Sequence, residues 1–91
     1  MYMIEIDPVK AKKNFADHSI HLAEAETVLY DPLALMLEDG TADGEQRFLT
    51  VGMDAEGRIL AVVYTWRGDN IRLISARKAT GREKRSYESG I

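Results

Sequence analysis

The chain has 91 residues, a formal net charge of -3 and no cysteine. This length is enough for one small domain with a modest core, and the lack of cysteine excludes disulfides and cysteine-based zinc sites. No apolar run approaches the roughly 20 residues of a membrane span, and the N-terminal MYMIEIDPVKAKK lacks the basic-then-apolar order of a signal peptide. We therefore expect a cytoplasmic protein that makes no membrane contact.

Charge is distributed unevenly along the chain. Residues 1–45 hold three cations and ten acids, whereas residues 46–91 hold nine cations and five acids. Such asymmetry is typical of a basic surface for a polyanion, balanced by an acidic region. The alternative is that the two kinds of charge interleave in the folded protein and cancel.

The first elements predicted are a short strand and two helices. Tyr2–Ile6 alternates weakly between apolar and polar residues and predicts a strand. Asp7 as N-cap and Pro8 as first helical residue are the favoured start of a helix, which we expect to run to about Asp17. A second helix is predicted over Leu22–Tyr30. Its buried stripe is Leu22, Ala25, Val28 and Leu29.

The rest of the chain predicts mainly strands. Asp31-Pro32 ends the second helix, because the residue before proline avoids the helical region. The apolar Leu33–Leu37 fits a strand or the tail of a helix, and we predict a strand. The polar EDGTADGEQ that follows predicts a loop. We expect three strands at Arg47–Met53, Arg58–Trp66 and Ile71–Arg77. A last helix is expected from Thr80 to about Ser89, where Thr80 is the N-cap and Glu83 completes a capping box.

The order β-α-α-β-β-β-β-α indicates an α+β domain spanning residues 1–91. Successive late strands joined by short turns predict a small antiparallel sheet, with two N-terminal helices and a short C-terminal helix packed on it. Arg58–Trp66 is β-branched and apolar on both faces, so we place it at the centre of that sheet.

Cations gather where the last strand ends. Alternation places Leu73, Ser75 and Arg77 on one face of that strand, with Arg77 at its exit. Arginine donates hydrogen bonds in a fixed fork that matches phosphate, and clustered cations bind nucleic acid. The alternative is a solvated helix whose cations pair with Glu83 and Glu88. The side chains predicted to bind an RNA are Lys10, Asn14, Arg58, Arg67, Lys78, Arg82 and Arg85.

Cleavage of RNA through its 2′-hydroxyl needs a base, cations that stabilise the charged phosphorane, and an acid for the leaving oxygen. Arg77 and Arg47 are the candidate clamps and Glu45 is a candidate base. Tyr64, Tyr87 and His18 are candidate proton donors. In an antiparallel sheet, Arg47 and Arg77 are expected to converge on one face with Tyr64. Residue spacing by itself fixes none of these roles.

The first helix carries a row of polar residues that bears on metal binding. Lys10, Asn14 and His18 are four residues apart and would share one face of the helix. His18 and His21 have the HxxH spacing of metal ligands, but no further histidine or cysteine exists to complete a zinc site. We therefore predict neither a metal nor another cofactor.

Taken together, five stretches resemble the BrnT family of toxins from type II toxin–antitoxin systems. They are DPVKAKKNFADHSI, AETVLYDPLAL, GEQRFLTVG, GRILAVVYTWRGDNIRLISARKAT and REKRSYE. The resemblance covers nearly the whole chain in order, and the ISAR-x-AT ending is its most specific part. Ser19 departs from the family pattern, where glycine usually follows the histidine, and His21 stands where serine usually caps the second helix.

The resemblance implies a RelE-like ribonuclease fold and metal-independent cleavage of RNA that halts translation and growth. It also implies a BrnA-type antitoxin that inhibits the toxin and alone contacts operator DNA. The residues matching the family pattern are Lys10, Asn14, His18, Glu45, Arg47, Tyr64, Ser75, Arg77, Glu83 and Tyr87. The competing hypotheses are a non-catalytic RNA- or protein-binding module and a purely structural subunit.

Overall fold

The computed structural model describes residues 3–42 and 44–90, except for the side chains of residues 38, 39 and 42. Five strands, three α-helices and one 3₁₀ helix form this described part of the chain. The strands are β1 (Ile4–Glu5), β2 (Leu35–Ala42), β3 (Glu45–Met53), β4 (Ile59–Arg67) and β5 (Asn70–Lys78). The helices are α1 (Pro8–His18), α2 (Leu22–Ala25), the 3₁₀ helix (Glu26–Tyr30) and α3 (Gly81–Glu88). No described helix is both long and apolar enough to cross a membrane.

The strands form one sheet in the order β1-β5-β4-β3-β2, with β4 at its centre. Strands β2 to β5 form an antiparallel meander. β1 lies parallel to β5, with Ile4 opposite Ile71, so the predicted antiparallel sheet is confirmed for β2 to β5 and wrong for β1. Helices and three further strands separate β1 from β5 in the chain, and only such a long connection can join parallel strands. The mixed α+β class is confirmed. The predicted first strand began at Tyr2, which lies outside the described residues.

Helix α1 begins and ends at residues that the sequence singled out. The Asp7 carboxylate accepts a hydrogen bond from the Val9 backbone N–H at 3.2 Å, and Pro8 is the first helical residue. Ser19 closes the helix in the left-handed conformation with φ 58°. A side chain there costs about 1–2 kcal/mol relative to glycine, so the reversal after His18 is made against the local preference of the chain.

The second predicted helix has the predicted extent, Leu22 to Tyr30, but it is not one regular α-helix. Only Leu22–Ala25 is α-helical, and the chain tightens into a 3₁₀ helix over the next five residues. The hydroxyl of Thr27 donates to the Glu24 carbonyl and also accepts from the backbone N–H of Ala55. This side chain therefore ties the tightened turn to the loop between β3 and β4.

The predicted polar loop EDGTADGEQ is also wrong, because β2 and β3 extend through it as a hairpin. Pairing continues to Ala42 opposite Glu45, and a bulge lies between residues 38 and 40. Gly40 has φ 91° at that bulge and Gly44 has φ 78° beside the turn, a region that glycine enters at little cost. Cross-strand hydrogen bonds outweigh the low strand propensity of the polar residues.

A bulge in β5 changes which of its residues share a face. Val63 lies opposite Ser75, but the next residue, Tyr64, lies opposite Leu73, so Ile74 is the extra residue. As a consequence, Leu73 and Ala76 lie in the same buried cluster. The prediction that Leu73 shares a face with Ser75 and Arg77 is therefore wrong, since alternation does not hold across a bulge.

The sheet is packed on both faces. On one face, α1, α2 and the 3₁₀ helix cover the larger buried cluster, in which Leu22, Leu60 and Leu73 are fully inaccessible. On the other face, α3 covers a smaller cluster by placing Tyr87 against Val51 and Ala61. Because α3 has only eight residues, it covers one end of that face, near the end of β3 and the start of β4. We call the remainder of that face, around Arg47, Thr65 and Arg72, the open face.

The side chain of Asn14 fastens α1 to β5. Its amide nitrogen donates to the carbonyls of Ile20 and Ala76, and its amide oxygen accepts from the Ala76 backbone N–H, each at 2.9 Å. β1 pairs with β5 only at Ile71 and Arg72, so Ala76 lies at an edge that no strand covers. Asn14 satisfies both backbone groups of that residue, as a neighbouring strand would.

We expect Asn14→Ala to lower the free energy of unfolding by about 2–4 kcal/mol, because three buried hydrogen bonds are lost and backbone groups are left unpaired. Urea unfolding monitored by circular dichroism measures the change. Lys12→Ala, on the exposed side of the same helix, is the matched control and should shift stability by no more than about 0.5 kcal/mol. Equal effects of the two substitutions would contradict the role of Asn14.

Candidate functional site

An open hollow of about 570 Å³ lies where α1 ends, beside the last residues of β5. It brings together four of the predicted site residues, His18, Arg58, Arg77 and Lys78. The remaining lining residues are Asp17, Ser19 and Ile20. The left-handed turn at Ser19 reverses the chain here and keeps the imidazole of His18 at the rim. Three cations and one imidazole thus surround a space that is open to solvent.

Arg77 is held in place by Glu83. Its Nη1 lies 2.7 Å from Glu83 Oε1 and its Nη2 lies 3.1 Å from Oε2, which is the two-pronged geometry of a strong arginine–carboxylate pair. Glu83 also closes the capping box of α3, accepting from the Thr80 backbone N–H at 2.9 Å. The same carboxylate therefore starts the last helix and orients the arginine at the end of β5.

The charge of Glu83 depends on this contact. The hydrogen bond from Arg77 lowers the pKa of Glu83 to about 2, against the opposing effect of partial burial and with help from the Thr80 backbone N–H. A lowered pKa means that the ionised carboxylate stabilises the folded protein. The pair therefore persists through the physiological range and weakens only in acid.

Arg58, a predicted RNA contact, is already surrounded by acids. Its Nη2 lies 2.7 Å from Asp54 Oδ2, 2.9 Å from Glu56 Oε2 and 3.4 Å from Glu24 Oε1. The hydrogen bond to Asp54 raises the pKa of Arg58 above its usual value, against the effect of partial burial. Asp54 is itself buried. Arg58 therefore contributes little uncompensated charge to the hollow, and its main effect is to hold the β3–β4 turn together.

A second, smaller hollow of about 210 Å³ continues from the first along the edge of β5. Lys10 and His18 from α1 and Ser75 from β5 line it, so two residues of the predicted helix face do meet there. Asn14 also lies at this hollow, but both hydrogens of its amide are used by backbone carbonyls. The structure gives Asn14 a positioning role in place of the predicted contact with RNA.

Arg47 and Arg77 share a face of the sheet but do not converge. Arg47 lies opposite Thr65 and Arg77 lies opposite Ala61, four residues earlier on β4. Strand geometry places their Cα atoms about 16 Å apart. Tyr64 points to the other face, because neighbouring residues of a strand alternate. The predicted meeting of these three side chains is therefore wrong.

Tyr64 lies in the helix-covered core. Its ring stacks on Phe48 with centroids 5.7 Å apart, and its hydroxyl lies 3.4 Å from Thr50 Oγ1 and 3.3 Å from Met36 Sδ. Only 6% of the residue is exposed. A proton donor for a leaving oxygen must reach the substrate, so this placement argues against the predicted role.

Glu45 and Arg67 lie at the far end of the open face. Glu45 Oε2 is 3.7 Å from Arg67 Nε, so each partly neutralises the other. This pair is near the start of β3, whereas His18 lies beside the end of β5. A base at Glu45 would thus be remote from the hollow that holds Arg77.

Helix α3 presents Arg82 and Arg85 to solvent and is anchored by Tyr87. The Tyr87 hydroxyl donates to Asp31 Oδ2 at 2.5 Å. Partial burial alone would raise the pKa of Asp31, but hydrogen bonds from Met53, Tyr87 and Leu33 outweigh it and lower that pKa. The hydroxyl of Tyr87 therefore anchors α3 to Asp31 in this structure. From the sequence alone, Tyr87 was a candidate proton donor.

Sequence reasoning did not single out Arg72. It lies on β5 opposite Thr65, on the same face as Arg47, and the Nε atoms of both arginines are buried without a hydrogen-bond partner. Only the register of the sheet reveals that these two residues lie on the same face, one on each side of β4 and both opposite Thr65. Among the described residues, no group of three His, Cys, Asp or Glu side chains is placed to hold a metal ion.

Comparison with known proteins decides the family. A family model described as "Ribonuclease toxin, BrnT, of type II toxin-antitoxin system" matches residues 7–83. This chain belongs to the BrnT family. The fold is similar to the crystal structure of the Brucella abortus ribonuclease toxin BrnT, with a TM-score of 0.68 and 24% sequence identity over 88% of this chain and 99% of that one. A search of curated proteins found no match. The sequence-based assignment to the BrnT family is thereby confirmed.

We expect the stability of this BrnT protein to fall as the pH drops below the ordinary range of a glutamate, about 4.5, towards 2. The pKa of Glu83 is lowered on folding, so its contribution is complete above that range and disappears as the folded carboxylate is protonated. In Glu83→Gln this contribution, about 1–2 kcal/mol after allowance for solvent screening, should be missing at pH 6. Urea unfolding at pH 6, 4 and 3 measures both proteins.

Glu88→Gln is the matched control, because it removes one exposed carboxylate from the same helix without removing a pair to arginine. The difference between wild type and Glu83→Gln should shrink as the pH falls, whereas Glu88→Gln should follow the wild type throughout. A constant difference from pH 6 to pH 3 would show that the charge of Glu83 is not what stabilises the fold.

Proposed function

We propose that this chain is a metal-independent endoribonuclease that inhibits translation and growth. Membership of a ribonuclease toxin family supports the general activity. The observation that carries the site is the hollow in which His18, Arg77 and Lys78 lie together at the end of β5. We also propose that the fold is RelE-like, in keeping with a small sheet that carries helices on both faces.

The assigned roles follow from what each side chain can do. His18 accepts the proton of the 2′-hydroxyl, since a ring nitrogen of imidazole can act as a general base. The 2′-oxygen attacks phosphorus, and Arg77 with Lys78 stabilises the negative charge that builds up on the phosphorane oxygens. The bond to the 5′-oxygen then breaks, and that oxygen takes a proton from water. Among the described residues that line the hollow, Asp17 is the one carboxylate. Its Oδ2 atom lies 2.7 Å from Nζ of Lys13, so the two charges are paired.

The remaining predicted residues take supporting roles. Lys10 lies along the second hollow and is assigned to the RNA backbone, as are the exposed cations Arg82 and Arg85. Arg67 is assigned a weaker contact because Glu45 partly neutralises it. Glu45 and Tyr64 receive no role in proton transfer, since one is remote from the hollow and the other is buried.

A non-catalytic module that binds RNA or protein is the second candidate function. The observation that favours it is the separation of the predicted acid and base groups, because Tyr64 is buried and Glu45 lies at the other end of the sheet. Only one proton-transferring side chain besides the paired Asp17 then remains beside the cations of the hollow. Binding without turnover would be the result.

The partner assigned to the protein is a BrnA-type antitoxin, and operator DNA is contacted only through it. We propose a cytoplasmic location, in keeping with an RNA substrate. The antitoxin is assigned to the basic surface around Arg77 and Lys78, because covering these cations would block phosphate access. No described acid lies within ion-pairing distance of Lys78, so it is available to an acidic partner.

The cleavage experiment uses antitoxin-free protein, a long RNA and EDTA, with products separated on a denaturing gel. Wild type should cut the RNA, and Arg77→Ala should cut at least about 100-fold more slowly because a stabilising donor is lost. Lys12→Ala, which removes an exposed cation on the other side of the sheet, should cut like wild type. Circular dichroism confirms that each variant is folded.

Equal rates for wild type and Arg77→Ala would contradict the assigned role of Arg77. Intact RNA in every lane calls for the same assay on translating ribosomes. If RNA stays intact there as well, while gel-shift binding to RNA persists, the binding module replaces the enzyme as the function.

Antitoxin binding should protect Lys78 from an amine-reactive label while Lys12 stays reactive. The physical reason is that the antitoxin is expected to bury the cations around the hollow, whereas Lys12 lies on the exposed side of α1. Peptide mass spectrometry of labelled toxin, free and in complex, gives the ratio for each lysine. Undiminished labelling of Lys78 in the complex would place the antitoxin elsewhere.

A further inference from the structure

Arg47 and Arg72 form a pair of cations on the open face of the sheet. Both lie opposite Thr65, one on β3 and the other on β5, so β4 runs between them. Residues paired across a sheet point to the same side, and two strand spacings separate the Cα atoms by about 10 Å. Thr65 between them is 2% exposed, and its hydroxyl donates to the Gln46 carbonyl at 2.7 Å.

The two arginines lack the counter-charges that three other arginines of the chain have. Arg58, Arg67 and Arg77 each lie within ion-pairing distance of a carboxylate. Arg47 and Arg72 are half-buried, have no ion pair among the described residues, and each has a buried Nε–H without an acceptor. Buried donors are nearly always satisfied, so two adjacent exceptions with the same charge need an explanation.

The described acids of this face do not supply a counter-charge for the two arginines. Glu45 lies beside Arg67, and Glu83 is paired with Arg77. Glu5 is the cross-strand neighbour of Arg72 on β1, but its carboxylate accepts from the Asn70 side chain at 3.2 Å. Among the described residues, no acid is therefore left to neutralise Arg47 and Arg72, which makes this face a candidate site for an external anion. The sheet fixes the backbone of both arginines, since each is the third residue of a strand that is paired on both sides.

We infer that Arg47 and Arg72 bind a backbone phosphate of the RNA, at a site separate from the hollow around His18. This inference rests on the proposed function. The guanidinium fork, with its Nε–H and Nη–H donors in one plane, matches two oxygens of a phosphate. The arginines are binding residues, and they act away from the bond that is cut.

The alignment of the arginine pair with Arg77 along one face of the sheet favours RNA, which carries many phosphates, over a single carboxylate of a protein. Arg77 lies on the same face, displaced by four residues along β4, which corresponds to about 13 Å. A few nucleotides of single-stranded RNA running along β5 would place one phosphate at the arginine pair and another at the hollow. The open face and the hollow would then form one track for a polyanion.

The test measures binding of an RNA oligonucleotide with 2′-O-methyl groups, which cannot be cut through the 2′-oxygen. Fluorescence anisotropy at several salt concentrations gives both affinity and the number of phosphate contacts. Arg72→Gln should weaken binding about tenfold and reduce the slope of log affinity against log salt by about 0.7, the value for one contact on a single strand. Lys12→Gln, an equal loss of charge outside the site, should leave the slope unchanged.

Two further measurements keep the test independent of how well a variant folds. Arg72→Lys keeps the charge but lacks the fork, so it should retain the salt slope of wild type while binding more weakly. In wild-type protein labelled with ¹⁵N at arginine, the Nε–H signals of Arg47 and Arg72 should shift when the oligonucleotide is added. Unshifted signals at saturating oligonucleotide would overturn the inference.

The failure of this inference is distinguishable from failure of the proposed function. If wild type binds and cuts RNA but Arg72→Gln has unchanged affinity and slope, the ribonuclease stands and the phosphate site is wrong. If Arg72→Gln weakens binding of purified antitoxin but not of RNA, the site takes a protein carboxylate and the inference is overturned. If wild type neither binds nor cuts RNA, alone or on ribosomes, both are wrong.

Discussion

The amide of Asn14 is the contact on which the candidate site depends. β5 has a neighbour on its outer side only at its first residues, and beyond them Asn14 satisfies the exposed backbone of Ala76. An asparagine carries both a donor and an acceptor in one plane, so it can replace a strand at that edge. Two of its hydrogen bonds join α1 to β5 and a third reaches the carbonyl of Ile20, just beyond the end of the helix. His18, at the end of α1, and Arg77, next to Ala76 on β5, line the same hollow. The contact that places the end of α1, and with it His18, thus consists of hydrogen bonds to the backbone at the edge of the sheet.

The arginines in the second half of the chain differ in whether an acid neutralises them, and residue type alone does not reveal this difference. Arg58 is neutralised by three acids and holds a turn, whereas Arg77 is oriented by the carboxylate of Glu83, which also starts α3. Arg47 and Arg72 have no acid partner in the part of the chain that the structure describes, and they share one face of the sheet. A half-buried guanidinium without a counter-charge is costly, which makes the unpaired arginines the more informative ones for function. The basic half of the sequence is therefore partly structural and partly available to a polyanion.

Much of the local structure was predictable because its causes lie close together in the chain. The start of α1 at Asp7 and Pro8 and the capping box of Thr80 and Glu83 depend on residues within one helical turn. The hairpin through EDGTADGEQ was missed because its hydrogen bonds come from a partner strand, which outweighs polar composition. The predicted grouping of Arg47, Arg77 and Tyr64 was wrong because faces and distances depend on register. The bulge at Ile74 likewise shifts the face of every later residue of β5.

The sequence by itself determined the mixed α+β class, the caps of the helices, the central position of β4 and membership of the BrnT family, all of which follow from short motifs in a fixed order. The tertiary structure alone decided which of the predicted residues meet. It placed His18, Arg77 and Lys78 at one hollow, buried Tyr64 and Asn14, and set Arg72 across β4 from Arg47 on the same face. The physical reason is that a side chain's partners are fixed by strand register, bulges and the satisfaction of backbone groups between distant segments. Those constraints act through space, and no spacing along the chain encodes them.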